Sequence, residues 1–256
     1  PSLIDYVAIL NSFDGGVIRR YPDDDVLGAP FPTRQVAEHV CDVCSETCAV
    51  PFSVCDANGT TFYGAKEFLP PGNKRVLVAL SRRPRFAFFR DAVQGLRRAL
   101  VVATEKTSSG SADDENETEE GTATYRAIEP HIMQLMHHVP SERWTKMKWE
   151  GVGELEVNLP GTKYDGFSDV DDFSFESLFN SLSGENLASC IEALWRENNV
   201  VVPSHRLPSL APVVEALKSL MFHLTWNGIC CHLVPAEAIG RIFDRRERFA
   251  TPYLFG

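Results

Sequence analysis

From Lys74 to Leu80 the chain is almost continuously apolar, and after Pro84 the period changes, with Phe86, Phe89, Val93, Leu96 and Leu100 recurring at steps of three and four. The first pattern is that of a strand covered on both faces. The second is one face of an amphipathic helix. A chain with both in succession must build a sheet on which a helix packs. Two hairpins precede them. Ile4 to Leu10 and Val17 to Tyr21 flank the turn chemistry of Asn11 to Gly16, and Pro51 to Cys55 and Thr60 to Phe68 flank Asn58-Gly59. The expectation is a small antiparallel sheet of two hairpins and a fifth strand, with a helix on one face.

Residues 104–124 hold no large apolar side chain and carry seven acids against one lysine, more than half of the chain's net charge of −10. Such a segment cannot offset its ordering entropy by burial, and it reads as a disordered linker. Beyond it, Tyr125 to Val139 predicts a short helix, and Leu155 to Leu159 one strand in a long connection. From Phe173 helices and strands alternate. Phe175 to Leu182 forms a short amphipathic helix. Leu187 to Trp195 follows, with Ser183 as N-cap. Val200 to Val202 is a buried strand, Leu210 to Met221 a helix and Ile229 to Val234 a second buried strand. Pro235 then opens a helix over Ala236 to Phe243. This order predicts an α/β fold whose second part carries a mostly parallel sheet. Phe86, Phe89, Trp195 and Phe222 read as core.

The negative charge argues against nucleic acid as a partner, which requires a basic surface. No leader-like segment and no run of about 18 apolar residues is seen, so no transmembrane segment is expected. The odd number of cysteines, seven, points to a reducing, cytoplasmic setting. Pro1 and Gly256 both look like ends cut from something longer.

Motifs for enzymatic chemistry are missing: no phosphate-cradling G-x-x-x-x-G-K-[ST], no dinucleotide fingerprint, no H-E-x-x-H and no G-x-S-x-G. Asp23-Asp24-Asp25 and Asp169, Asp171 and Asp172 read as solvated loop acids. Cys41, Cys44, Cys48 and Cys55 are the strongest metal candidates. Their spacing departs from paired zinc knuckles, however, and packing is the simpler reading. His137 and His138 point about 100° apart on a helix and, with His131, read as surface or partly packed rather than ligands. Arg82, Arg83 and Arg85, with Arg97 and Arg98, form a basic cluster that reads as a solvated loop and helix face.

Phe173 to Gly256 resembles the central region of a DENN domain. The matching pieces are the "FESLFNSL" of Phe175 to Leu182, Glu185-Asn186, the helix to Trp195, Arg196-Glu197, Val200 to Val202 and Ser204. The Leu207 to Leu220 helix, Trp226, Leu233-Val234-Pro235 and the ending Pro252 to Gly256 complete them. Asn198-Asn199 stand where the family carries two arginines. Upstream, Asp5-Tyr6-Val7, Tyr21-Pro22, Tyr63-Gly64 and Leu80-Ser81-Arg82-Arg83-Pro84 with Phe86 are similar to the upstream DENN region, in the family's order.

The resemblance implies an upstream DENN, longin-like antiparallel sheet over 1–103, the acidic linker over 104–124, and a central DENN region over 125–256, truncated at its C-terminal end. It also implies a guanine-nucleotide exchange factor for a Rab-type small GTPase, cytoplasmic and recruited to vesicle or endosomal membranes through partners, with no cofactor, no metal and no covalent chemistry. Glu185, Asn186, Arg196, Glu197 and Ser204 are the partner-binding candidates. Two other readings stay open. One is a GTPase-activating relative that uses Arg82, Arg83 or Arg85 as a finger. The other is a non-catalytic scaffold in membrane trafficking.

Overall fold

The apolar run and the periodic helix do come together as sheet and cover. In the computed structural model, residues 3–25, 30–41, 49–56, 59–69, 74–108, 125–126, 128–137, 144–149, 153–158, 170–221, 224, 226–234, 240 and 251–256 are described. Strands β1 (Tyr6–Asn11), β2 (Val17–Tyr21), β3 (Val50–Cys55), β4 (Thr61–Leu69) and β5 (Arg75–Ser81) form one antiparallel sheet in the order β2-β1-β5-β4-β3. The fifth strand thus sits in the middle, between the two hairpins.

Alternation along the strands sorts the side chains into two cores. Val7 and Ile9 of β1 and Leu77 and Ala79 of β5 pack under helix α2 (Phe86–Ser108), with Phe86, Phe89, Val93, Leu96 and Leu100. Tyr6, Ala8, Leu10, Val76, Val78 and Leu80 face the other way, against Phe31 and Val36. That second face corrects the expectation of a helix on one side only. Helix α1 (Thr33–Cys41) covers it. Only Val36 and Val40 are large apolar residues in this nine-residue helix, too few for a periodic signal. The β1–β2 turn meets the same helix. Gly15 has φ +67, and a Cβ there would lie 2.4 Å from the Ala37 Cβ, so only glycine fits.

Helix α3 (Glu129–His137) adds Ile132 and Leu135 to the core beneath α2. The long connection holds two strands rather than one: β6 (Trp144–Trp149) and β7 (Gly153–Asn158) pair as an antiparallel hairpin. Trp149 anchors it in the α2 core and stacks on His131, ring centroids 4.9 Å apart.

Helices α4 (Asp172–Ser181), α5 (Gly184–Trp195) and α6 (Leu207–Ser219) then surround a small parallel sheet of β8 (Val200–Val201), β9 (Ile229–Cys231) and β10 (Tyr253–Phe255). The order is β8-β10-β9. The parallel pairing is as expected from the alternating elements. The sheet is smaller than expected, and its middle strand is the Pro252 to Gly256 ending, which the sequence offered as a motif rather than a strand. Being an edge, β9 is not fully buried: Ile229 is 40% exposed. Leu210 to Leu217 of α6 are buried without interruption. This helix packs on β3 and α4 and supplies Val213, Val214 and Leu217 to a third core with Leu178, Leu194 and Leu254.

The helix expected over Ala236 to Phe243 lies outside the described residues except for Gly240, as do residues 109–124, the Cys41, Cys44 and Cys48 side chains, Asn58, His138, Asp169 and Phe222. The predicted linker begins inside α2, which continues to Ser108.

Candidate functional site

Four of the expected partner-binding residues lie on α5 and the turn that follows it, Ser204 lies beyond β8, and all five are exposed. Helix α5 begins where Ser183 Oγ accepts the Asn186 amide at 3.3 Å, the capping expected from sequence. Glu185 and Asn186 therefore sit in the first turn, where a carboxylate also complements the positive helix end. At the other end the Asn198 amide donates to the Ala193 carbonyl at 2.9 Å and the Glu197 amide to the Leu194 carbonyl at 3.0 Å. This is a Schellman ending, which places one residue in the left-handed conformation. That position is normally glycine; here it is Glu197, at φ 54.

The Schellman turn projects a corner. Trp195, expected as core, is 60% exposed and stands next to Arg196 and Glu197. A helical period marks a face but does not say whether anything covers it, and here Leu194 alone of this last turn is buried. Arg196 Nη2 pairs with Glu192 Oε1 at 2.7 Å, one helical turn back. Both side chains are largely exposed, so the pair contributes little to stability. Val201 on the adjoining edge strand is 38% exposed, and Phe179 on α4 59%. Tryptophan and arginine together in an exposed position have the composition of interface anchors. Ser204 Oγ accepts the Arg206 amide at 3.0 Å and shapes the approach to α6. The two ends of α5 are separated by about 16 Å, a span that one ordinary protein interface covers.

The basic loop after β5 divides into three environments. The buried carboxylate of Asp5 accepts from the Arg82 amide at 2.9 Å and from Arg82 Nε and Nη2, each at 3.2 Å. These bonds hold the guanidinium against the protein, and the Asp5 hydrogen bond and charge raise its pKa further. Arg85 is buried, at 6% exposure. Arg83 is exposed. Of the three arginines considered as fingers, Arg83 is the one positioned to reach another molecule.

Two buried acids hold roles that the sequence reading did not give them. Asp171, taken for a solvated loop acid, is buried and caps α4. Its Oδ1 accepts from the Ser174 amide at 3.0 Å and Ser174 Oγ at 2.6 Å, and its Oδ2 accepts from the Ala87 amide of α2 at 2.8 Å. Burial pushes its carboxyl up, and the Ser174 and Ala87 hydrogen bonds offset only part of this. Glu215 lies in the middle of α6, facing His232 just past β9. His232 Nε2 donates to Glu215 Oε1 at 2.6 Å, Lys218 Nζ approaches the same oxygen at 2.5 Å, and Ser53 Oγ of β3 shares a hydrogen bond with His232 Nδ1. Burial alone would raise the Glu215 pKa, but the His232 hydrogen bond and the His232 and Lys218 charges hold it down at about 2. Burial alone would lower that of His232, but Cys230 and Glu215 carry it up to about 9. The cluster borders a cleft of about 450 Å³, lined by Ser53 and Tyr63 of the large sheet and by Lys218, Trp226, Cys230 and His232 opposite. Cys55, expected inside a strand core, is exposed at the end of β3.

No helix among the described residues is long and apolar enough to cross a membrane. The model of the DENN (AEX-3) domain family matches residues 73–243, which run from just ahead of β5 past β9 and include the α5 surface and the basic loop. No curated protein matches the chain.

Proposed function

The chain belongs to the DENN (AEX-3) domain family, and on that premise we propose that it is a guanine-nucleotide exchange factor acting on a Rab-type small GTPase. Exchange requires no transferred group. A protein that binds the nucleotide-free GTPase better than the loaded one weakens nucleotide binding by the same factor, by linkage. In this reading the large sheet and α2 form the upstream lobe, the acidic stretch that follows α2 a linker, and residues 125–256 belong to the central lobe. The GTPase lies across both lobes, and vesicle or endosomal membranes are reached through partners.

The observation that supports the reading best is the exposed corner Trp195-Arg196-Glu197, held out by a left-handed non-glycine residue. Backbone of that kind persists where the surroundings over-determine it, and it clusters at functional positions. Trp195 and Arg196 serve as anchors, Glu197 as a polar contact, and Glu185, Asn186 and Ser204 as the surrounding rim. The test is release of fluorescent GDP from a panel of Rab GTPases. The chain should accelerate release from at least one Rab, and Trp195→Ala and Arg196→Glu should each slow that release more than about tenfold while leaving the thermal midpoint unchanged. If GDP release from every Rab is the same with and without the chain, exchange is refuted. Binding to a Rab without faster release would identify the scaffold instead.

A GTPase-activating role has one observation in its favour: Arg83 is exposed while Arg82 is held by Asp5. Stimulated GTP hydrolysis that Arg83→Ala abolishes would establish that role, and unstimulated hydrolysis removes it.

A further inference from the structure

We propose that Glu215, Cys230 and His232 form a zinc site at the head of the cleft between the large sheet and α6. Their donor atoms all lie within 4.8 Å of one another. Cys230 and His232 stand two residues apart along an extended segment, so their side chains share a side. Glu215 meets them from α6. Thiolate, imidazole and carboxylate together are donors that suit zinc, which takes sulfur, nitrogen and oxygen in one tetrahedron.

The distances are close to what such a tetrahedron needs. Zinc bonds of about 2.0–2.3 Å place adjacent donors about 3.3–3.6 Å apart. Cys230 Sγ is 4.0 Å from His232 Nε2, and Glu215 Oε1 is 2.6 Å from that same nitrogen. Each gap is within about 1 Å of the target, a shift that side-chain rotation supplies. The metal would take the place of the hydrogen that now bridges Glu215 and His232. The thiol also gives up its proton, so uptake releases protons to solvent.

The surroundings resemble the outer shell of a metal site. The other ring nitrogen of a metal-bound histidine is normally held by a hydrogen bond, which fixes the ring. Ser53 Oγ of β3 makes that bond to His232 Nδ1. Lys218 Nζ, at 2.5 Å from Glu215 Oε1, would orient the carboxylate from outside. The cleft provides both an entry path and room for a fourth ligand, a water or an incoming donor, because Cys230 and His232 line it. Cys231 does not supply that ligand: its Sγ donates to the Leu233 carbonyl at 3.2 Å.

The test uses the whole chain, stripped with chelator and titrated with Co²⁺ and then Zn²⁺. One equivalent of Co²⁺ should bind with a thiolate-to-cobalt charge-transfer band and intense tetrahedral visible bands, and Zn²⁺ should displace it. Cys230→Ser, a near-isosteric change at a half-buried position, should abolish the charge-transfer band while the far-ultraviolet circular dichroism stays the same. A variant with Cys41, Cys44 and Cys48 all changed to serine should keep the band. Ser53→Ala should weaken Zn²⁺ about tenfold, as loss of an outer-shell partner does. Absence of the band, its survival in Cys230→Ser, or its loss in the Cys41/Cys44/Cys48 variant would each overturn the proposal.

Discussion

Replacing Glu197 with glycine separates what the backbone needs from what the side chain does. The residue sits at φ 54 in a Schellman ending, where its amide and that of Asn198 satisfy two carbonyls of α5. A left-handed conformation costs an L-residue about 1–2 kcal/mol. Glycine is spared that cost, but its extra freedom in the unfolded chain takes back about 0.4–1 kcal/mol. The side chain is exposed, so little packing is lost. Glu197→Gly should therefore stabilise the protein by about 0.5–1 kcal/mol, raising the thermal midpoint by about 1–4 °C. In the GDP-release assay the same variant should be slower, because the carboxylate that the turn presents is gone. Asn tolerates the same backbone region better than Glu, so Glu197→Asn should match or slightly exceed the wild-type midpoint and share the slower release. A lowered midpoint in Glu197→Gly would refute the backbone argument. Unchanged release in both variants would refute the role given to the side chain.

Asp171→Ala removes the α4 cap and the bond to Ala87, for a loss of about 2–3 kcal/mol measured by urea unfolding. Asp171→Asn keeps a capping oxygen and should cost only about 1 kcal/mol, and equal losses in the two variants would contradict the split. Glu67, buried beside Arg97 at 3.5 Å, has a pKa raised by burial, against which the Arg97 and Arg98 charges act. The folded state therefore holds its proton to higher pH than the unfolded chain does, and the stability from this group is lost as pH rises through the folded value. Relative to Glu67→Gln, the wild type should become less stable between acid and neutral pH; a constant difference in thermal midpoint across that range would refute this. Gly15→Ala should destabilise by more than about 1 kcal/mol, because the left-handed turn touches Ala37 and cannot move without lifting α1, and a neutral effect on the midpoint would refute the contact.

What could be read from sequence followed from how local each signal is. Strand β5 and helix α2 were legible because one stretch carries both the apolar run and the change of period. The cap at Ser183 was legible because capping is settled within four residues. Helix α1 was not, since its two valines form no repeat, and its role of covering the second sheet face depends on strands far away in the chain. Trp195 shows the limit of periodicity: the pattern gives the face and leaves its cover unspecified. Asp171 looked like a loop acid because its third bond goes to Ala87, on a helix from the other half of the protein. The Glu215–Cys230–His232 group has no sequence signature, since its donors come from a helix and a strand separated by a turn. The cysteines that did form a visible cluster, Cys41, Cys44 and Cys48, drew the metal question elsewhere.

The strand order β8-β10-β9 has a consequence for how the second half comes together. Among the described residues β8 and β9 share no ladder, and each pairs with β10, through Leu254 opposite Val200 and Cys230. During synthesis both strands emerge with an empty lane between them, and that lane is filled only when Tyr253–Phe255 arrive. Until then the core shared by Val213, Val214 and Leu217 lacks Leu254, and the nascent chain presents two open edges of the kind chaperones engage. Closure of this half is therefore a late, long-range event, whereas the hairpins of the first sheet can zip as they are made.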